Sequence, residues 1–416
     1  MLPCGLLLKS VLFLATTLAS AQTVQYEVDL ANAIHHEAHV RATFSGVKSK
    51  SLEVLMSRAS PGRYAAHEFA KNVYEIRTTN SHGKEIPREQ ADNNRWLISG
   101  HDGTVIFEYT LFGDRVDGTY VGIDRTHAHL NMPGTVVWAR GLESRPIRIR
   151  FTPPQGEAWT VATQLDERAD GWWFAPNLDY LMDSPTDIGP HQFSEWTVGE
   201  AKFRMALHHT GSAASTTSFL AKAQSITAEE EGVFGNFPRY DFGRYTFVAD
   251  YLPYASGDGM EHRNSTSITA GATIEQNGDR LLGTLAHEFF HSWNMERIRS
   301  KGIEPFHYDH PNMSGELWFG EGFTNYYEEL ALHRSGIIDF NQFLESLTSF
   351  VNTVVASPGR LMHSAVEMSR LAPYVDAATS IDKTNRENTF ISYYTYGAAL
   401  GVGIDLKIRE IGRAHV

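Results

Sequence analysis

Cysteine is almost absent from this sequence, and so are several other features that would mark particular classes of protein. The single cysteine, Cys4, excludes an intramolecular disulfide. There is no internal repeat of the kind that builds a solenoid. Beyond the N-terminal segment, no stretch has the 18 or so continuous apolar residues of a membrane helix, so we expect no membrane span. Basic residues are fewer than acidic ones, 36 against 49, and the net charge of −13 argues against nucleic-acid binding.

The N-terminus, MLPCGLLLKSVLFLATTLASAQ, has the order of a secretory signal. Lys9 precedes an apolar run over residues 11–18, and small alanines stand on either side of Ser20, as at an A-x-A cleavage site. The alternative is an apolar N-terminal segment without a targeting role. We predict that residues 1–21 are a signal peptide and that the mature protein is secreted or periplasmic.

Alternating apolar and polar residues dominate the chain from residue 22 to about residue 190. The alternation is clear over residues 24–30, 38–44, 105–111 and 147–151, and Gly, Pro and Asn separate these stretches. A period of two residues is typical of half-buried antiparallel strands. We therefore predict an N-terminal antiparallel β-sandwich domain over residues 22–190.

The rest of the chain mixes strands with helices. Apolar strand-like stretches at 201–209 and 245–252 enclose a predicted helix near 215–231, and longer helical patterns follow. Asp339 is placed to cap one of them, because its side chain can accept the first free N–H groups of a helix. With 42% hydrophobic and 20% charged residues, the chain has the composition of an ordinary globular protein, and its 416 residues are enough for two or three domains. The strand and helix patterns predict a multidomain α+β fold whose second, mainly helical domain covers residues 191–416.

The sequence stops inside a helical pattern, YYTYGAALGVGIDLKIRE, without a capping signal. The last seven residues, EIGRAHV, match one reading frame of a common sequencing-adapter sequence. We therefore expect that the natural protein continues beyond residue 409, that residues 410–416 are not native, and that the second domain is truncated.

Two histidines four residues apart are the strongest chemical signal. HEFFHSW places His287 and His291 about 40° apart around a helix and about 6 Å apart along it, so both imidazoles project from one face and can bind one zinc ion. Glu288 follows the first histidine, in the position of a general base for attack by water on a carbonyl. The alternative is a core helix with incidental histidines, so the prediction requires a third ligand.

Glu321 is the candidate for this third ligand. It lies near the middle of SGELWFGEGFTNYYEELALHRSG, which we predict to be a helix capped by Ser314 and ended by Gly336. A carboxylate from a following helix would complete a zinc site that leaves one position open for water. The residues alone leave several rivals: Glu316, Glu328, Glu329, His307, Asp309 and His310.

HEFFHSWN followed by LWFGEGFTNYYEEL resembles the glycyl aminopeptidase family of zinc metallopeptidases, part of the gluzincin group. In that family the third zinc ligand is the glutamate of a W-x-x-E-G-x-T pattern. The pattern is filled here by Trp318, Glu321, Gly322 and Thr324. The resemblance implies that His287, His291 and Glu321 bind one zinc ion, and that residues 191–416 form a thermolysin-like zinc-peptidase domain, incomplete at its C-terminus.

A second stretch, SGDGMEHRNSTS, resembles the family's G-x-[LM]-E-H-x-N-S segment. The glutamate of the corresponding strand in related aminopeptidases binds the free α-amino group of the substrate. The resemblance therefore implies substrate binding by Gly259, Met260 and Glu261, and a carboxylate near the metal is suited to hold an ammonium group. Without the resemblance, Glu261 would be an ordinary strand carboxylate. MDSPTDIG, residues 182–189, also resembles the family.

A third stretch, ISYYTYGAAL, resembles the Y-x-K-G segment of the group, whose tyrosine stabilises the tetrahedral intermediate. Tyr394 is the matching residue, Tyr396 replaces the usual lysine, and Tyr393 is the nearest rival. A phenol can donate a hydrogen bond to a developing oxyanion. The alternative is that these aromatic residues pack the start of a helix.

These signals together predict a secreted zinc aminopeptidase. Glu288 would act as the general base, and the substrates would be peptides with a free N-terminus. A preference for Gly or Ala is implied by the resemblance alone, and no signal indicates an oligomeric state. Three alternatives remain: a zinc endopeptidase of the same fold, a non-catalytic peptide-binding protein on the same scaffold, and a purely structural extracellular protein.

Overall fold

The structure, a computed structural model, describes residues 23–375, 386 and 388–414. The predicted signal peptide, residues 1–21, lies outside the described residues. Four β-sheets and a set of mostly C-terminal helices form a multidomain α+β fold, as predicted. Within the described part of the chain, no helix is both long enough and apolar enough to cross a membrane.

Residues 23–190 are rich in short strands. They are β1 (Val24–Asp29), β2 (Glu37–Ser45), β3 (Ser51–Leu55), β4 (Val73–Thr79), β5 (Arg88–Asp92), β6 (Arg95–Ser99), β7 (Thr104–Phe112), β8 (Gly122–Ile123), β9 (Ala128–Leu130), β10 (Trp138–Ala139), β11 (Ile147–Thr152), β12 (Thr160–Thr163), β13 (Asp166–Glu167), β14 (Trp173–Ala175) and β15 (Thr186–Gly189). Three sheets result, with the orders β13-β14-β11-β1-β2-β7-β4, β10-β3-β6-β5 and β12-β15-β9-β8. Two short helices, α1 (Met132–Thr135) and α2 (Leu178–Met182), lie between strands.

The predicted alternation accounts for the core of the seven-stranded sheet. Val24, Tyr26 and Val28 of β1 are buried, whereas the residues between them are partly exposed. One pairing differs from the antiparallel prediction, because β1 pairs with β11 in parallel. A parallel neighbour requires a long crossover, and β11 comes from much later in the chain, which alternation within a single strand cannot reveal.

A fourth sheet, which is mixed and has five strands, opens the C-terminal half. Its strands are β16 (Gln192–Val198), β17 (Ala201–His209), β18 (Tyr245–Tyr251), β19 (Asp258–His262) and β20 (Ser265–Ala270). The order is β16-β17-β18-β20-β19, with β17, β18 and β20 parallel to one another and β19 antiparallel at the edge. The predicted strands at 201–209 and 245–252 are therefore confirmed, and an edge strand lies next to the helices that follow.

The helices of this half pack on the five-stranded sheet and on one another. They are α3 (Ala213–Phe234), α4 (Ile274–Phe290), α5 (Leu317–Arg334), α6 (Phe340–Ala356), α7 (Ala365–Arg370), α8 (Ala372–Val375) and α9 (Tyr393–Ala414), with 3₁₀ turns at Ala33–His35, Phe69–Asn72, Lys301–Ile303 and Pro358–Leu361. Asp339 caps α6 as predicted, since its carboxylate accepts the N–H groups of Asn341 and Gln342 at 2.8 and 2.9 Å.

The start of α5 differs from the prediction. Ser314 was expected to cap this helix, but α5 begins at Leu317 and the Ser314 hydroxyl accepts the N–H of Glu316 in the preceding turn. A distant residue satisfies the first turn instead, because the N–H of Trp318 donates to Ser369 Oγ at 2.9 Å. Gly336 follows the end of the helix with a φ of 69°, as expected for a glycine at this position.

Helices α5 and α9 cross at a contact between two glycines. A Cβ atom on Gly322 would overlap the backbone of Gly397, and a Cβ on Gly397 would overlap the carbonyl oxygen of Trp318. Only residues without a side chain allow the two backbones to approach this closely. The crossing therefore fixes how the start of α9 lies against the middle of α5.

We expect Gly397→Ala to destabilise the protein by about 1–3 kcal/mol, because the added methyl group must push α9 away from α5. The measurement is urea unfolding followed by circular dichroism. Gly403→Ala on the same helix is the matched control, since its methyl group would enter open space and alanine is the better helix former. Equal losses of stability in the two variants would contradict the close crossing.

Candidate metal centre

Two buried imidazoles lie side by side where α4 ends. His287 occupies the last turn of the helix, and His291 follows it with φ −62° and ψ −15°, so the helical geometry continues through the second histidine. The ring centroids are 4.8 Å apart. The predicted spacing of four residues thus places both rings on one face.

Glu321 of α5 reaches both rings with one oxygen. Its Oε2 lies 3.4 Å from Nε2 of His287 and 3.3 Å from Nε2 of His291. The structure thus brings together the three residues that the sequence suggested as metal ligands, all of them buried. Two imidazole nitrogens and one carboxylate oxygen form a donor set typical of catalytic zinc.

The outer nitrogens of the two rings are held by other partners. Nδ1 of His287 lies 3.2 Å from Oε2 of Glu328, and Nδ1 of His291 donates to the carbonyl oxygen of Asn294 at 2.8 Å. With the proton on Nδ1, each imidazole keeps the lone pair of Nε2 for a metal ion, and such partners are usual around zinc-binding histidines. The residues present therefore fit a zinc ion.

Charge at the centre favours an ionised Glu321. Burial alone would raise the pKa of this carboxyl group, but the imidazoles of His291 and His287, in their protonated form without a metal, hold it below its ordinary value. An ionised carboxylate is the form that binds a metal.

Both glycines that flank Glu321 make room for other residues. A Cβ atom on Gly320 would overlap the sulfur of Met295, which follows the second histidine, whereas Gly322 accommodates α9. Asn294 ties the same turn to α5, because its amide donates to the carbonyl oxygen of Gly320 at 2.9 Å and to Oγ1 of Thr324 at 3.1 Å. The W-x-x-E-G-x-T pattern thus has a steric explanation.

Glu288 packs against the edge strand β19. A Cβ atom on Gly259 would overlap Oε1 of Glu288 and lie 2.7 Å from its Cδ, so the absence of a side chain at 259 leaves space for this carboxylate. Its Oε2 is buried and has no hydrogen-bond partner in the described part of the chain. Burial raises the pKa of Glu288 to about 8, the carboxylate of Glu261 acts in the same direction, and the two imidazoles oppose them.

Strand β19 also carries the other residues predicted to bind substrate. Carboxylate oxygens of Glu261 and Glu288 and a nitrogen of His291 all lie within 4.8 Å of one another. Glu261 is therefore part of the candidate centre. The side chain of Met260 is buried, and a Cβ at Gly62 would lie 2.8 Å from its Cγ.

A loop of the N-terminal half reaches the same centre and was missed in the sequence. Gly62 lies against Glu261, and a Cβ at this position would be 2.8 Å from Oε2 of that carboxylate. Arg63 forms an ion pair with Asp258 at the start of β19. The Tyr64 hydroxyl donates a hydrogen bond to Oε1 of Glu321. No local motif marks this loop, because its role depends on contacts with residues about two hundred positions later.

Of the two tyrosines that the sequence suggested for the oxyanion, Tyr394 is the one whose ring lies against a candidate metal ligand. Its ring stacks on that of His287 with centroids 6.1 Å apart, and its side chain is half-buried. The rival, Tyr393, is buried and packs edge-on against Tyr64 at 6.2 Å. The position of Tyr394 is therefore the more accessible one from the metal centre.

The rivals of Glu321 lie elsewhere. Glu316 accepts a hydrogen bond from Ser300, and Asp309 pairs with Arg140 at 3.0 Å. Glu328 contacts the outer side of His287, so it supports a ligand instead of replacing Glu321. The remaining rivals, Glu329, His307 and His310, are not in the group of His287 with His291.

Two arginines, Arg297 and Arg299, stabilise the turn after α4. Arg297 donates to the carbonyl oxygen of Ser292 and to Oδ1 of Asn264, both at 3.0 Å. Arg299 pairs with Glu304 at 3.2 Å. These contacts agree with a structural use of both arginines.

Two protein-family models match the chain: the M61 peptidase N-terminal domain over residues 25–190 and the M61 glycyl aminopeptidase over residues 280–400. The fold is similar to the crystal structure of an aminopeptidase N family protein from Idiomarina loihiensis, with 25% identity, a TM-score of 0.84, and coverage of 93% of this chain and 67% of that one. A mutant M1 zinc metallopeptidase from Deinococcus radiodurans is more distant, with 14% identity, a TM-score of 0.46, and coverage of 91% and 80%. Among curated proteins, no sequence matches significantly.

We expect Glu321→Gln to abolish tight zinc binding, because it removes the charged ligand oxygen. Glu328→Gln should weaken zinc binding by about 10- to 100-fold, as is typical when the outer partner of a ligand histidine is lost. Competition with a chromophoric chelator measures both affinities. Glu329→Gln, one position further along α5, is the control and should bind zinc like the unmodified protein. A similar affinity in all three variants would rule out Glu321 as a ligand.

Proposed function

Since the chain belongs to the M61 glycyl aminopeptidase family of peptidases, we propose that it is a secreted zinc aminopeptidase that removes N-terminal residues from peptides. The observation that carries this proposal is the shared position of the candidate ligands and of two further carboxylates. His291 belongs to one group with His287 and Glu321 and to another with Glu261 and Glu288. A metal site, a base and a binding group for an amine are thus adjacent.

The candidate ligands His287, His291 and Glu321 suit a single zinc ion with one position open. Zinc in such a site polarises a carbonyl group and lowers the pKa of water to about 7. Glu288 is suited to take the proton that this water loses. Its carboxylate, which has an oxygen within 4.8 Å of donor atoms of His291 and Glu261, would hold that proton and then pass it to the amine that leaves.

The position of Glu261 favours an aminopeptidase, which releases the first residue of a peptide, over an endopeptidase, which cleaves inside the chain. A buried carboxylate is costly unless a cation pairs with it, and the α-ammonium group of a peptide is such a cation. Because Glu261 lies within 4.8 Å of the donor atoms of Glu288 and His291, an ammonium bound there would place the first peptide carbonyl beside the base.

Two further features would orient the substrate. Strand β19 is the edge of its sheet, so the backbone at Gly259 and Met260 is placed to pair with an extended peptide. The phenol of Tyr394, on the ligand side of α9, would donate a hydrogen bond to the oxyanion that forms on the attacked carbonyl. The family supports a preference for Gly or Ala at the first position, and the predicted signal at residues 1–21 supports export.

We expect cleavage of short peptides with a free N-terminus and no cleavage of the same peptides after N-acetylation. Glu261→Gln should lower kcat/KM for the free peptides by about 100-fold, the equivalent of ~3 kcal/mol for a lost buried charge pair. Liquid chromatography of the products measures both. Glu288→Gln, which should keep its metal but lose activity, controls for contaminating peptidases. Equal cleavage of acetylated peptides would favour an endopeptidase, and metal binding without turnover in the unmodified protein would favour a binding protein.

We also expect Gly259→Ala to abolish peptide cleavage while zinc stays bound. The new methyl group would occupy the space of the Glu288 carboxylate and displace the base, whereas the three ligands are untouched. Activity and metal content are measured on the same preparation. Gly257→Ala, two residues earlier and with open space around it, should remain active. Full activity of Gly259→Ala would show that Glu288 does not have to stay where the structure places it.

A further inference from the structure

A second cluster of histidines and aspartates is buried away from the metal centre. It lies between the sheet of β12, β15, β9 and β8 and the sheet that contains β17 and β18. Two groups of three residues in this cluster have donor atoms within 4.8 Å of one another, and they share Asp250. The members of the two groups are His127, His208 and Asp250, and His129, Asp187 and Asp250.

Strand register explains how these residues meet. His208 of β17 is the direct partner of Asp250 in β18, so both side chains emerge on one face of the five-stranded sheet. His129 of β9 is likewise the direct partner of Asp187 in β15. Small apolar residues, Ala162, Ala206 and Val248, form a contact between the same two layers. The two pairs of polar residues therefore face each other across a close sheet-to-sheet contact.

Hydrogen bonds to the two aspartates hold His129 and His191 in place. Nδ1 of His129 lies 2.8 Å from Oδ2 of Asp250, and Nε2 of His191 lies 2.7 Å from Oδ1 of Asp187. These contacts satisfy one oxygen of each carboxylate. They also commit His129 as a hydrogen-bond donor, which removes its Nδ1 as a ligand atom.

Three atoms of the other group have no hydrogen-bond partner among the described residues: Nε2 of His127, Nδ1 of His208 and Oδ1 of Asp250. All three side chains are at least nine-tenths buried. Nδ1 of His208 is 3.6 Å from Oδ1 of Asp250, which is too long for a hydrogen bond. Two ligands of one tetrahedral zinc ion are separated by a similar distance, since each lies about 2 Å from the metal.

The tautomer expected for His127 also leaves one ring nitrogen free to bind a metal. Its Nδ1 lies 3.4 Å from Oδ1 of Asp124 and 3.3 Å from Oγ1 of Thr126, so the proton belongs on that nitrogen. Nε2 then carries a lone pair that points to no hydrogen. A carboxylate behind the outer nitrogen of an imidazole is the arrangement that accompanies zinc-binding histidines.

We propose that His127, His208 and Asp250 form a second divalent-metal site of the zinc type, which cross-links the N-terminal half to the five-stranded sheet. Two imidazoles and a carboxylate are ligands that zinc prefers, and a bound cation would satisfy three buried polar atoms together. The site has no residue in common with the centre on α4 and α5. Its role is structural, because it lies between sheets instead of beside the edge strand.

Metal analysis of the full chain after dialysis against metal-free buffer tests this site. We expect about two zinc equivalents in the unmodified protein and about one in His208→Gln. His191→Gln is the matched control, because His191 is buried in the same cluster and contacts Asp187 but is not one of the three ligands. It should retain both equivalents. A single equivalent in both the unmodified protein and His208→Gln would overturn the proposal.

A second variant keeps the test decisive if His208→Gln does not fold. His291→Ala removes a ligand of the centre on α4 and leaves the buried cluster intact. We expect this variant to retain about one zinc equivalent and to melt at a lower temperature when a chelator removes it, because a ligand that binds only the folded state stabilises that state. The absence of any tightly bound zinc in a folded His291→Ala protein would also overturn the proposal.

Discussion

The site depends on keeping the carboxylate of Glu321 ionised while it is buried. Removing a charge from water costs several kcal/mol unless partners compensate. Here Nε2 of His287 and of His291 lies within 3.4 Å of one oxygen, and the hydroxyl of Tyr64 donates to the other. Three separate segments must therefore meet at one point, and the packing of the surrounding helices and loops serves this meeting.

Glycines make this convergence sterically feasible. Gly320 and Gly322 flank the carboxylate and admit Met295 on one side and α9 on the other, whereas Gly259 admits the carboxylate of Glu288. Larger residues at these positions would separate the elements that carry the candidate ligands and the candidate base. The conspicuous E-G pairing of the motif thus reflects helix packing as much as chemistry.

The sequence predicted best those features that depend on local spacing. A helical period places His287 and His291 on one face, and the α+β class follows from alternation in the first half and helical patterns in the second. Glu321 required a family resemblance, because a lone carboxylate does not reveal its direction. Tyr64, the parallel pairing of β1 with β11 and the cap of α5 by Ser369 depend on contacts between distant segments, which neither period nor motif encodes.

The N-terminal half helps to hold the candidate site in position. Segment 182–189 connects to strand β19, since the carboxylate of Asp183 lies 2.9 Å from Nδ1 of His262 and accepts the N–H of Arg263 at 3.0 Å. Four residues later, Asp187 enters the buried histidine cluster. The position of β19, and of Glu261 on it, therefore depends on the same interface that the histidine cluster would lock. Because a small misplacement of a positioning group can cost much of the rate, stability of this interface and precision of the site are physically coupled.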